Sequence, residues 1–305
     1  MTEPGSRRAG APAPSRPAAT LIGFTAVLMW SLLAVLTTAS GAIPPFELAA
    51  LTFAIGGTLG ACTWTVRTGG LSRLRQPIEV WALGIGGLFG YHALYFMALR
   101  LAPPAEATLV NYLWPLLIVL FSGLLPGASL RAHHVIGAAI GLLGAVVLLV
   151  GRGGLAFAED HAPGLAAAFV AAFVWATYSV LSRRFPAVPT DAVAGFCLGT
   201  AALAALCHLM LEDTAVPKDA TQWLAVIGLG IGPVGAAFYA WDIGMKRGDI
   251  RVLGAASYAA PVLSTFLLVG AGFAQLSMSL ALAALLIAAG GLLAAKDMLA
   301  GAEAA

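Results

Sequence analysis

Charged residues are so sparse in this chain that they leave long stretches without any. The charge-free runs are 17–46, 48–66, 80–99, 107–130, 132–151, 162–182, 192–211, 220–241 and 252–295. A helix rises about 1.5 Å per residue, so a hydrocarbon layer about 30 Å thick takes about 20 apolar residues to cross. The first eight runs each hold one such helix, and the 30-residue first run also has room for a turn at Pro44-Pro45. The last run has 44 residues, enough for two helices joined by a turn near Gly272–Ser279. The sequence therefore predicts an all-α integral membrane protein with ten transmembrane helices. Composition agrees: 60% of residues are hydrophobic and 10% charged, against about 25% charged in a soluble domain. So few charges cannot cover a water-facing surface of this size.

The few cations orient the chain, because short cytoplasmic loops retain Lys and Arg. With the N-terminus inside, Arg7, Arg8, Arg16, Arg67, Arg73, Arg75, Arg131, Arg183, Arg184, Lys246, Arg247, Arg251 and Lys296 are cytoplasmic. Only Arg100, Arg152 and Lys218 fall on the other side. Both termini are then cytoplasmic. The polar residues in front of the first helix form a disordered tail over 1–18 rather than a signal peptide, since no cleavage pattern follows. Basic and acidic side chains nearly cancel to a net +2, which implies no nucleic-acid partner. Cys62, Cys197 and Cys207 are odd in number and lack metal-ligand spacing, so the sequence predicts small buried apolar residues and no metal site.

The second half of the chain echoes the first. Leu83-Gly84-Ile85-Gly86 recurs as Leu229-Gly230-Ile231-Gly232, at an offset of 146. At the same offset Tyr112 and Pro115 meet Tyr258 and Pro261, and Arg100 meets Lys246. At 145, Phe24, Ala26, Trp30, Val35 and Leu36 meet Phe169, Ala171, Trp175, Val180 and Leu181; at 144, Pro45 and Glu47 meet Pro189 and Asp191. A duplicated five-helix unit gives this drift of one residue per loop. The units run over 19–151 and 162–298, with a cytoplasmic tail at 299–305. Five is odd, so the second unit enters the membrane upside down. Two inverted repeats are a recurrent architecture of secondary transporters, which bind substrate near the midplane.

The same helices carry the chemistry. Pro115 and Pro261 sit mid-helix at matching positions, and each lacks the N–H that would bond the carbonyl four residues back, at Asn111 and Ser257. Paired interruptions in two halves point to a binding and gating region. All six tyrosines lie in charge-free runs, and a hydroxyl there wants a partner. Tyr91 and Tyr95 are four residues apart on one helix face with His92 at its edge. Asn111, Trp114 and Pro115 share a face of the next helix, with Tyr112 beside them. Trp30 and Trp175 also lie deep, whereas Trp64, Trp81 and Trp223 fit an interfacial belt. His92 is the titratable group well inside a helix, and an ionisable intramembrane residue is a functional candidate. His208, near a helix end, fits a neutral imidazole bonded to a neighbour, and His133 and His134 face the cytoplasmic interface.

Absences narrow the function further. No Asp, Glu, Lys or Arg sits mid-helix; Glu47, Asp191 and Asp242 lie near helix ends. Ion-coupled pumps use buried carboxylates, so facilitated or weakly coupled movement of a neutral or zwitterionic small molecule is expected, with His92 as the one proton handle. The chain lacks HExxH, paired intramembrane Asp and a GxSG serine, which argues against an intramembrane protease. The glycines Gly84, Gly86, Gly87 and Gly90, and Gly228, Gly230 and Gly232, read as small packing faces rather than a nucleotide loop, since no strand precedes them.

Ten helices in two inverted halves resemble the drug/metabolite transporter superfamily, EamA type. Residues 91–115, from Tyr91-His-Ala-Leu-Tyr95 to Asn111-Tyr-Leu-Trp-Pro115, are similar to helices 3 and 4 of its aromatic amino-acid exporters. The likeness covers roughly 18–298. It implies a bacterial inner-membrane exporter of aromatic and other neutral amino acids, working by alternating access through an aromatic-lined cavity, without a cofactor and as a monomer. Its implied cavity residues are Tyr91, His92, Tyr95, Tyr112 and Trp114, with Trp175 and Trp241 from the second half; Asn111 joins them from the face shared with Trp114. Within the superfamily, export of another small metabolite or drug is the alternative.

Overall fold

A computed structural model describes residues 14–66, 70–151, 159–270, 272 and 275–303. Among them all regular structure is helical. Among the described residues, nine helical stretches are long and apolar enough to cross a membrane. They are α1 (Arg16–Ala39), α2 (Pro45–Val66), α3 (Ile78–Leu101), α4 (Pro104–Ser122), α5 (Ala132–Val150), α6 (Ala162–Ser182), α7 (Ala192–Leu211), α8 (Ala220–Arg247) and α9 (Ile250–Gly270). A tenth apolar helix, α10 (Met278–Ala294), is shorter, at 17 residues. Large apolar side chains such as Leu21, Leu143, Phe173, Leu224 and Leu285 cover the outer surface, as a surface facing lipid requires.

Four helices are interrupted, two of them where the prolines predict. α4 breaks at residues 112–113, just before Trp114-Pro115, and α9 at 257–258, just before Pro261. The Ser257 carbonyl is not left open, however: it accepts from the Ala260 N–H at 3.1 Å, a tighter turn that takes up the bond Pro261 cannot make. The other two breaks were not expected. α1 bends at 31–32 without Pro or Gly; there the Ser31 hydroxyl donates to the Leu28 carbonyl at 2.6 Å, a back-bond that bends helices. α8 widens into a π-helical turn over Gly232–Ala236, around Pro233.

In lipid there is little hydrophobic force between helices, so close packing and hydrogen bonds hold the bundle. The most extensive pairings are α5 with α10, α2 with α7, α3 with α6 and α1 with α8; α4 also crosses α9. Small residues set these contacts. A Cβ on Gly137 would lie 2.5 Å from the Gly290 carbonyl oxygen, and one on Gly290 2.5 Å from that of Gly137. Gly84 and Gly87 admit the rings of Phe196 and Tyr178, and Gly230 admits Ile55, as expected, but Gly86 and Gly232 face open space. Because backbone cannot yield as a side chain can, Gly137→Val should cost about 1–3 kcal/mol by overpacking. Thermal unfolding in detergent should show a lowered Tm for Gly137→Val and none for Gly86→Val; equal behaviour would refute the packing role.

Polar groups gather at the helix ends. At one end, Glu212 after α7 accepts from the backbone N–H groups of Phe46 and Glu47 at the start of α2, pairs with Arg100, and lies 3.2 Å from His208 Nδ1. Glu47 in turn accepts from the Ala215 N–H. His208 thus meets a carboxylate, with Thr214 at 3.0 Å on its other nitrogen. At the opposite end, Asp242 is buried against Lys246 and Thr190. There His134, in the first turn of α5, is buried against its neighbours, and with His133 it approaches Asp297.

Cys197 is buried, but Cys62 is exposed and Cys207 half-buried. α1 already begins at Arg16, capped by Ser15, inside the expected 1–18 tail. A helix over Lys296–Glu303 runs into the expected 299–305 tail. Arg7, Arg8, Arg67, Arg152 and residues 271, 273 and 274 of the turn after α9 lie outside the described residues.

Candidate functional site

A cavity of about 440 Å³ opens between α1, α3, α4, α5, α6, α8 and α9. Small-molecule sites span roughly 300–1,000 Å³, so one metabolite fits. Its wall carries Tyr91, His92, Tyr95, Asn111, Tyr112, Trp114, Trp175 and Pro261, eight of the ten residues singled out from the sequence. No lining residue is Asp, Glu, Lys or Arg. Leu33, Ala34 and Thr37 of α1, Thr108 of α4 and Leu268 of α9 put the cavity in the half of the bundle where α1, α3 and α9 end and α4 begins.

Aromatic rings fill the centre and separate that cavity from the other half. Among them, Trp30 has ring centroids 5.0 Å from Trp241, 5.7 Å from Trp175, 6.2 Å from Trp114 and 6.2 Å from Phe238. Its indole N–H donates to the Pro233 carbonyl at 3.1 Å, an acceptor in the π-helical turn of α8. Such edge-on and tilted pairs contribute about 0.5–1.5 kcal/mol each, so the floor is a rigid structure rather than a loose lining.

Two expected residues stand behind the wall. Trp241 is not on the cavity surface: it is 1% exposed, packs beneath Trp30 and donates to the Ser179 hydroxyl at 3.0 Å. Pro115 is buried where α4 crosses α9, its carbonyl against Gly254. Trp30, Thr108 and Phe238 line the cavity although the sequence reading did not place them there. The repeat holds a signal for two of them: Trp30 is the counterpart of Trp175 at offset 145, and Phe238 that of His92 at offset 146.

Hydrogen bonds fix the polar groups of the wall. Asn111 Nδ2 donates to the Tyr91 hydroxyl at 3.1 Å, and the Tyr95 hydroxyl pairs with Thr108 at 2.9 Å. The Asn111 amide oxygen is buried and lacks a partner among the described residues. His92 Nδ1 lies 2.7 Å from the Leu88 carbonyl. A carbonyl only accepts, so Nδ1 carries the proton, and in the neutral ring Nε2 is a bare acceptor. Phe53, Tyr91 and Phe96 pack around that imidazole. The cavity thus combines π faces with the polar side chains of His92 and Asn111, the unpartnered Asn111 Oδ1 being buried behind its surface, a set that suits an ammonium group beside an apolar or aromatic side chain.

Elsewhere, ligand atoms of His133, His134 and Asp297 lie within 4.8 Å of one another. Asp297 is already paired with Arg131, His134 Nδ1 accepts from the Arg131 N–H, and His133 Nε2 lies 3.3 Å from Asp297.

The sequence profile of the EamA-like transporter family matches residues 17–150 and again 162–295. The chain is 63% identical to the aromatic amino acid exporter YddG of Ancylobacter novellus, covering 90% of this chain and 96% of that protein. It is 28% identical to the protein of the same name from Escherichia coli, over 92% and 97%. It is 27% identical to the pseudopaline exporter CntI of Pseudomonas aeruginosa, over 70% and 72%. A crystal structure 62% identical in sequence matches with a TM-score of 0.89, covering 92% of this chain and 97% of that one. This multi-pass membrane protein belongs to the EamA-like transporter family.

Proposed function

We propose that the chain exports aromatic and other neutral amino acids across the inner (plasma) membrane of a bacterium, by alternating access through the central cavity. The observation that carries this is the wall itself: uncharged, aromatic, with the polar side chains of Asn111 and His92. The name of the 63%-identical relative supports the substrate class. Tyr91, His92, Tyr95, Asn111, Tyr112, Trp114 and Trp175 contact substrate, Trp241 backs the floor, and the breaks before Pro115 and Pro261 are the hinges. The protein acts as a monomer in the bilayer, with both termini cytoplasmic.

The architecture in this proposal is ten spans in two inverted units, 19–151 and 162–298. Three observations support it. The family profile matches twice, once in each unit. α4 and α9 break at corresponding places. The helix pairings are unchanged when every helix is exchanged for the one five places on: α2–α7, α5–α10 and α4–α9 map onto themselves, and α1–α8 maps onto α6–α3. A pseudo-twofold axis relating the units has this consequence. Two such units can exchange conformations, opening the half that is now filled by Trp30, Trp114, Trp175 and Trp241 and closing the other.

The test is flux in liposomes. Purified protein with only a substrate gradient should move radiolabelled phenylalanine, tryptophan and neutral amino acids saturably, and lysine should neither move nor compete. A strict need for a proton gradient would overturn the facilitated mechanism. The 27%-identical pseudopaline exporter favours a second reading, export of another small metabolite; it prevails if no neutral or aromatic amino acid competes.

A further inference from the structure

Away from the substrate cavity, at the opposite end of the bundle, lies a second cavity of about 290 Å³. Its wall carries three arginines: Arg16 at the start of α1, Arg183 just after α6 and Arg251 at the start of α9. The α4–α5 connection, with Ser129, closes its side. One acid, Asp249, answers them, paired with Arg16 and Arg251. Burial alone would raise its carboxyl, but Arg16, Arg251 and the backbone N–H groups of Val252 and Arg251 hold it below the ordinary carboxylate range. It is therefore ionised, and three cations against one anion leave a local excess of two positive charges.

The arginines are held in place rather than loose. Arg183 donates to the carbonyls of Met245 and Gly248 at 3.1 and 2.9 Å, and Arg251 donates to the Ser129 carbonyl. These neutral acceptors orient the guanidinium groups without cancelling their charge. Burial first, and then the neighbouring Arg16 and Arg251, pull the Arg183 guanidinium below its usual value. An anion in the cavity would relieve that repulsion. A guanidinium fork matches the oxygens of phosphate in geometry as well as charge. All the lining groups sit at helix ends on one face, the level at which lipid headgroups lie, and basic pockets between helices at that level recruit anionic headgroups.

We propose that this cleft is a phosphate-binding site, taking either the headgroup of an anionic phospholipid or a soluble phosphate ion. Occupancy links α1, α6, α9 and the α4–α5 connection and stabilises the arrangement in which this end of the bundle is closed.

Delipidated protein in a non-ionic detergent is titrated with phosphatidylglycerol, with phosphatidylcholine, and with sodium phosphate against sodium chloride at matched ionic strength. Thermal unfolding is followed by tryptophan fluorescence. A ligand that binds the folded state raises Tm in proportion to the logarithm of its excess over Kd. Phosphatidylglycerol, phosphate or both should raise Tm; phosphatidylcholine and chloride should not. A response to lipid alone identifies a headgroup, and a response to phosphate alone identifies the soluble ion. Arg16→Gln together with Arg251→Gln should weaken the apparent affinity at least about tenfold, roughly 1.4 kcal/mol. If that pair fails to fold, Arg16→Gln alone decides, because its side chain is half exposed; it should weaken affinity severalfold. The proposal fails if neither phosphatidylglycerol nor phosphate outperforms its control, or if Arg16→Gln binds as tightly as the parent protein.

Discussion

Replacing Asn111 by Leu, or His92 by Phe, should lower amino-acid flux in liposomes about 10- to 100-fold while leaving the fold intact. Both changes keep the branching or ring shape of the side chain and remove an acceptor. Asn111 Oδ1 is buried without a partner, and His92 Nε2 is left bare because Nδ1 is spent on the Leu88 carbonyl. A hydrogen bond to a charged group is worth about 1.5–3 kcal/mol, and each 1.4 kcal/mol is a factor of ten. The loss should fall on substrate affinity and flux together, since an ammonium that finds no acceptor must shed water without compensation. The two positions differ in their side effects. Asn111→Leu also frees the Tyr91 hydroxyl, so it should cost some stability, whereas His92→Phe joins an existing cluster of Phe53, Phe96 and Phe238 and should cost little. Flux within twofold of the parent for both variants, at equal reconstitution, would remove these residues from the substrate site.

Most of the cavity wall could be read from the sequence because hydrocarbon makes polar aromatics conspicuous. Tyr91, Tyr95, Asn111 and Trp114 stood out as groups that need partners where there is no water, and they converge on the cavity. Trp30 and Trp241 show what such a reading cannot supply, which is depth. Trp30 joins the wall because α8 offers the Pro233 carbonyl across 203 residues of chain, and Trp241 retreats behind it to reach Ser179. Periodicity contains neither fact. Helix ends were also blurred by treating charges as boundaries: α8 runs on past Asp242 to Arg247 because Lys246, one turn later, pairs with that carboxylate at 2.8 Å. The bend at Ser31 had no proline or glycine to announce it. The prolines of α4 and α9 were legible for the opposite reason, since a missing N–H is a property of the residue itself and survives any tertiary context.

Glu212→Ala should have the largest effect on stability of any single change at the open end of the bundle. The carboxylate is 2% exposed and serves four donors at once: the N–H groups of Phe46 and Glu47, Arg100 and His208. The two N–H groups belong to the first turn of α2, where no helical carbonyl can reach them. Truncation leaves them and His208 without their acceptor, next to the buried Glu47. Breaking a buried ionic network by removing one member costs about 3–5 kcal/mol, equivalent to a fall in Tm of roughly 10 °C. Arg100→Ala is the informative contrast. It deletes the opposite partner of the same ion pair, but that side chain is half exposed, and exposed pairs contribute at most about 1 kcal/mol. Glu212→Gln keeps one acceptor oxygen for the α2 terminus and should fall between the two. Because Glu212 joins α2, α3 and α7, its loss should also raise protease sensitivity at the 40–45 turn. Equal Tm values for Glu212→Ala and Arg100→Ala would mean that water, rather than this carboxylate, satisfies the start of α2.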